Sequence, residues 1–84
     1  MRRRHLTTLQ AIFEHPTRAN ILWDDIVSLL HALGAEAYER EGSRVIFVLN
    51  GKRALFHRPH PRKETVKGAV ESMRDFLTAA GVEP

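Results

Sequence analysis

The sequence predicts an α+β fold, a two-layer sandwich ordered helix–strand–strand–strand–helix with an extra helix in front. Three observations carry this. Two apolar-rich runs, Ser43 to Leu49 and Lys52 to Arg58, flank Asn50-Gly51, whose residues tolerate the positive φ of a type I′ hairpin turn. Ile26, Leu29, Leu30 and Leu33 form an i, i+3, i+4, i+7 stripe, and a longer one runs through Val66, Ala69, Val70, Met73, Phe76, Leu77 and Ala80. Helix order and strand order together suit a meander covered on one face by two amphipathic helices and open on the other.

The elements follow in chain order. Leu6, Leu9, Ile12 and Phe13 recur near helical spacing, and Pro16 pushes His15 out of the helical region, so a first helix is expected over about residues 3 to 14. Arg2, Arg3 and Arg4 oppose the helix dipole there; they are free to serve as an arm for nucleic acid or as a frayed tail, and the tail is the preferred reading. His15 to Asn20 reads as a linker. The second helix opens at Asp24 and Asp25, whose carboxylates suit a helix N-terminus, and closes at Gly34. Ala35 to Arg40 alternates small or aromatic with charged residues and is expected to be a strand, with Glu41-Gly42 turning the chain into the hairpin.

The two-residue turn sets the hairpin register. With Leu49 opposite Lys52, the ladder pairs Val48 with Arg53, Phe47 with Ala54, Ile46 with Leu55, Val45 with Phe56 and Arg44 with His57. Side chains alternate between faces, so Val45, Phe47, Leu49, Ala54 and Phe56 should meet the core. Arg44, Ile46, Val48, Arg53, Leu55 and His57 should share the open side. Pro59 and Pro61 then forbid a continuing ladder or helix, making RPHP a stiff exit loop. The last helix begins at Glu64 or Lys67 and closes at Gly81. We expect residues 1–20 to be a helical extension and linker, and residues 21–84 to be the functional domain.

Composition narrows the function classes. A chain of 84 residues with 43% apolar content supports one small core and argues against disorder. The absence of cysteine removes disulfide and thiolate-zinc chemistry. The N-terminal apolar run is interrupted by Thr7, Thr8 and Gln10, so a soluble cytoplasmic protein without membrane contact is expected. Residues 40 to 67 hold eight basic residues against two acidic ones, which leaves the rest of the chain net negative. A basic field so confined is what a polyanion binder requires, although basic residues also blunt exposed strands against aggregation. The RNA-binding candidates are therefore Arg44, Lys52, Arg53, Arg58, Arg62, Lys63 and Lys67. His57-x-x-His60 with Glu64 has the residue types of a metal trio, but the flanking prolines stiffen the wrong conformation, so neither a metal nor another cofactor is expected. A DNA-binding helix-turn-helix is disfavoured, because no helix pair has the tight turn or basic recognition helix.

The run LLHALGAEAYEREGSRVIF, then NGKRALFHRPHP and a closing TAAGV, resembles the HicA family of toxins from bacterial toxin–antitoxin pairs. The similarity covers roughly residues 23 to 82, with Gly42-Ser43, Pro59-His60-Pro61 and Ala80-Gly81 as its most specific marks, and residues 1 to 20 look like an extension that typical members lack. The resemblance implies a fold like that of double-stranded-RNA-binding domains. It also implies a metal-independent endoribonuclease that cuts messenger RNA and is held inactive by a HicB antitoxin. The family reads Gly-Ser-His at the head of the central strand, its histidine being catalytic; Arg44 stands there in this chain.

Such cleavage needs a base for the 2′-hydroxyl proton, an acid for the departing 5′-oxygen and cations for the pentavalent phosphate. Histidine is the natural base near neutral pH. The register sets His57 opposite Arg44, so His57 is the candidate base, Arg44 and Arg53 the candidate phosphate stabilisers, and His60 or Lys63 the positioning group. The alternative is a catalytically silent RNA-binding or antitoxin-binding module that kept the fold without the histidine.

Overall fold

The computed structural model describes residues 1–84. Its elements are α1 (Arg3–Ile12), α2 (Trp23–Ala32), β1 (Glu36–Glu39), β2 (Arg44–Leu49), β3 (Lys52–His57) and α3 (Lys67–Ala79). The strands form one antiparallel sheet in the order β1-β2-β3. The expected α+β meander with helices on one face is therefore the fold.

The hairpin has the register the turn dictates, from Leu49 opposite Lys52 to Arg44 opposite His57. Asn50 and Gly51 sit at φ 51° and 78°, the left-handed pair that a type I′ turn demands. The Asn50 side-chain amide donates to the Ala80 carbonyl at 2.8 Å, which ties the turn to the end of α3. Alternation then sorts the faces: Val45, Phe47, Leu49 and Phe56 are buried, while Arg44, Arg53, Leu55 and His57 are exposed. Phe47 and Phe56 meet Trp23 of α2 with ring centroids 6.1 and 6.2 Å away, and Phe76 of α3 lies edge-on to Phe56 at 6.3 Å. Tilted aromatic contacts of this kind join the sheet to both helices.

Both later helices end in the same way. Gly34 donates to His31 and Ala35 to Leu30 after α2; Gly81 donates to Thr78 and Val82 to Leu77 after α3. These are paired Schellman bonds, and they need a glycine at positive φ at the stop. The start of α3 is settled by tertiary pairing. Leu22 bridges Glu64, the Trp23 amide donates to the Lys63 carbonyl at 3.0 Å, and the Thr65 amide donates to the Ile21 carbonyl at 2.8 Å. Residues 63 to 65 are thus extended, and the helix begins at Lys67.

The first helix does more than the sequence suggests. It packs against both α2 and α3, and Leu9 and Ile12 belong to the same core cluster as the sheet residues. The expected two-helix layer is a three-helix one. Arg3 and Arg4 form the first turn of α1, so they are not a frayed tail. The helix stops at Ile12, two residues short of the expected end, and Arg74 of α3 satisfies carbonyls at and just beyond that end: its Nε donates to the Ile12 oxygen at 3.0 Å and its Nη2 to the Glu14 oxygen at 3.3 Å.

Ile12 is fully buried. Truncation to Ile12→Ala should destabilise the whole chain by roughly 2–5 kcal/mol in denaturant unfolding, through lost burial and the cavity left behind. A loss confined to a few tenths would mean that α1 is an appendage.

Candidate nucleic-acid interface

The uncovered face of the sheet is built in three rows across the strands. Register places Arg53, Val48 and Glu36 in one row and Leu55, Ile46 and Tyr38 in the next. His57 and Arg44 form the third, and Arg40 completes it: its amide donates to the Arg44 carbonyl at 2.9 Å, which continues the β1–β2 pairing one residue past β1. Ile46 and Val48 are half-buried, whereas Tyr38 and Leu55 are 46% and 50% exposed, so the middle of the face is an apolar strip with cations beyond it.

Arg44 and His57 are direct partners at a site where the flanking pairs carry the hydrogen bonds, as the Arg58 amide to Ser43 carbonyl bond of 2.7 Å indicates. Such pairs bring Cα atoms to about 4.5 Å and side chains close together. Arg44 is also oriented: its Nε donates to the Glu41 carbonyl at 3.0 Å, leaving the terminal guanidinium nitrogens available. The row therefore presents an exposed imidazole beside an anchored guanidinium, with a second guanidinium at its far end. Arg53 stands apart. It lies four residues from His57 along β3, about 13 Å of extended chain, so it faces a different part of any bound strand.

The other expected residues divide between three places. Arg58, His60, Arg62 and Lys63 occupy the exit loop directly after β3. Arg58 is partly neutralised by Glu39, with the nearest atoms 2.8 Å apart. Arg62 and Lys63 line a cleft of about 170 Å³ with Pro59, Pro61, Leu22, Trp23 and Asp24, at the place where residues 21–23 are tied to residues 63–65. Lys52 is exposed beside the hairpin turn and has the parity of the core face, and Lys67 opens α3 in the helical layer. The sheet thus brings Arg44 and His57 together, sets the exit-loop cations at the strand end and leaves Lys52 and Lys67 on other surfaces. His57, His60 and Glu64 form no cluster able to hold a metal ion.

Two residues of this face were not singled out by spacing alone. Arg40 and Tyr38 lie on β1 and its extension, whose alternation is weak because all four β1 residues are exposed. Tyr38 donates its hydroxyl to Glu36 at 3.1 Å; that bond, reinforced by the carboxylate's charge, raises the phenol above its ordinary range. The folded state thus favours the protonated phenol, and this contribution is lost as pH rises through the folded midpoint. Tyr38 is the sole tyrosine. Alkaline titration of tyrosinate absorbance should therefore report a raised midpoint, and Glu36→Gln should bring it back toward the unfolded value; an unchanged midpoint in that variant would break the assignment.

Comparison with known proteins bears on the same segment. Residues 23–82, from the first residue of α2 to the end of the α3 stop, match the family model described as the HicA toxin of bacterial toxin-antitoxin. No curated protein and no solved structure matches the chain at a significant level. The match spans every element of the sheet and both helices joined to it by aromatic contacts, with α1 preceding it. A family model matched over that stretch, on the fold that its residues build, places this chain in the HicA family, toxins that are paired with an antitoxin.

Proposed function

We propose that this toxin binds messenger RNA across the open sheet face and cleaves it as a metal-independent endoribonuclease in the cytoplasm, and that a HicB-like antitoxin silences it by covering that face. One observation carries the reading: an exposed His57 directly opposite the anchored Arg44, on a wall that no helix covers. His57 takes the proton of the 2′-hydroxyl, whose oxygen attacks the adjacent phosphorus; an acid protonates the 5′-oxygen as it departs. Arg44 and Arg40 hold the charge that accumulates on the phosphoryl oxygens. Arg53 addresses a neighbouring phosphate, and His60 with Lys63 positions the strand as it leaves the sheet. Tyr38 and Leu55 offer bases an aromatic and an apolar surface on which to stack. An antitoxin suited to this wall would bring acidic groups to the arginines and apolar ones to the strip between them.

A second reading has its own support. Arg44 occupies the position where the resemblance expects the catalytic histidine, and its Nε is committed to Glu41. On that reading the chain binds RNA or antitoxin without cutting.

Cleavage of single-stranded RNA in the presence of chelator separates the two. His57→Ala should slow cleavage by about a hundredfold or more while leaving the fold intact. Arg44→His, which restores Gly-Ser-His, should retain or raise activity. A parent protein that leaves RNA uncut while Arg44→His cleaves it would establish the silent module; His57→Ala cleaving at the parental rate would remove the base assigned here.

A further inference from the structure

A second cationic site lies in the helical layer, away from the sheet face. A cleft of about 480 Å³ opens between the first turn of α1 and the start of α2, and no hydrophobic residue lines it. Arg3, Arg4, His5 and Thr7 form its α1 wall, with Asp25 and Ser28 opposite on α2.

The α1 end is positively charged in every respect. It carries no side-chain cap and no acidic residue in its first turn, and its first intrahelical bond is made by the His5 amide, so the amides of Arg3 and Arg4 precede it. Neither arginine has a salt-bridge partner. Two guanidiniums at the positive end of a helix dipole weaken the helix unless an anion joins them. His5 adds an independent sign. It is only 9% exposed, it lines the cleft, and neither Nδ1 nor Nε2 has a hydrogen-bond partner. Buried polar atoms of this kind are rare because leaving them unmet costs free energy.

We propose that this cleft binds a phosphate group. A multi-oxygen anion is what the lining fits: guanidiniums that donate in a fork, an imidazole N–H, and the Ser28 hydroxyl. No hydrophobic residue lines the cleft to select an apolar ligand, and a cation meets two arginines against one carboxylate. Asp25 opposes the anion and limits its affinity. The phosphate comes either from an RNA backbone or from a free phosphate ion. The site is independent of the nuclease reading.

The test is a magnetic-resonance titration of the full chain with inorganic phosphate, against chloride at matched ionic strength. The His5 ring and the Arg3 and Arg4 side-chain resonances should shift together and saturate, on a curve separate from that of His57. Arg3→Gln with Arg4→Gln should abolish the His5 response while the Leu9 and Ile12 resonances keep their folded positions. Asp25→Asn should tighten phosphate binding several-fold. A single-stranded RNA that moves the His5 ring identifies the phosphodiester as the source; phosphate acting where RNA does not identifies the free ion. His5 resonances that stay still, or that follow chloride equally, overturn the proposal, and so does saturation by a glutamate-rich peptide in place of phosphate. Loss of RNA cleavage in His57→Ala has no bearing on this response, which keeps the two sites separable.

Discussion

A two-residue turn joining two strands leaves them one register, and a sheet with one buried face turns that register into a division of labour. Asn50 and Gly51 supply the positive backbone angles, and the ladder running back from them sends three large apolar groups of β2 inward with Phe56. The same alternation sends Arg44, Arg53 and His57 outward. A slip of one residue would turn one strand over, burying its cations and exposing either Val45 and Phe47 or Phe56, so the core and the candidate interface depend on one another. The bond from Asn50 to the end of α3 couples that turn to the helical layer as well.

Packing on the inner face explains why the outer face can remain bare. Trp23, Phe47, Phe56 and Phe76 make one contiguous aromatic cluster, and α1 closes the helices from behind with Leu9 and Ile12. A chain this short has little apolar surface to spare, so the third helix adds burial that a two-helix layer would lack. Arg74 connects α3 to this arrangement by holding the last carbonyl of α1 and that of Glu14 just beyond it. No helix is then needed over Ile46 and Val48, and the sheet keeps an accessible wall flanked by guanidiniums.

Electrostatics divides the molecule into two cationic regions of different character. On the sheet, Arg44, Arg40 and His57 share a row held by backbone pairing, and the exit loop extends that field past the strand ends. Arginines 3 and 4 gather instead at a helix end, where the backbone itself is positive. The acidic groups are placed unevenly between them: Glu39 neutralises Arg58 at the loop, and Asp25 faces the α1 cleft. Arg44, by contrast, is tied to a carbonyl and keeps its full charge.

Local chemistry within the sequence by itself determined the hairpin, its register, the glycine stops of α2 and α3 and the pairing of Arg44 with His57, because a turn type and a period of two act over a few residues. Spacing alone reached neither Arg40 nor Tyr38, since β1 is too short and too exposed to announce its faces. Tertiary structure alone decided that α1 belongs to the core and that α3 starts only beyond residues 63 to 65, which pair with the segment before α2. Each of these depends on contacts between segments far apart in the chain; a periodic pattern such as that of Leu9 and Ile12 marks a buried face but does not say which distant segment buries it.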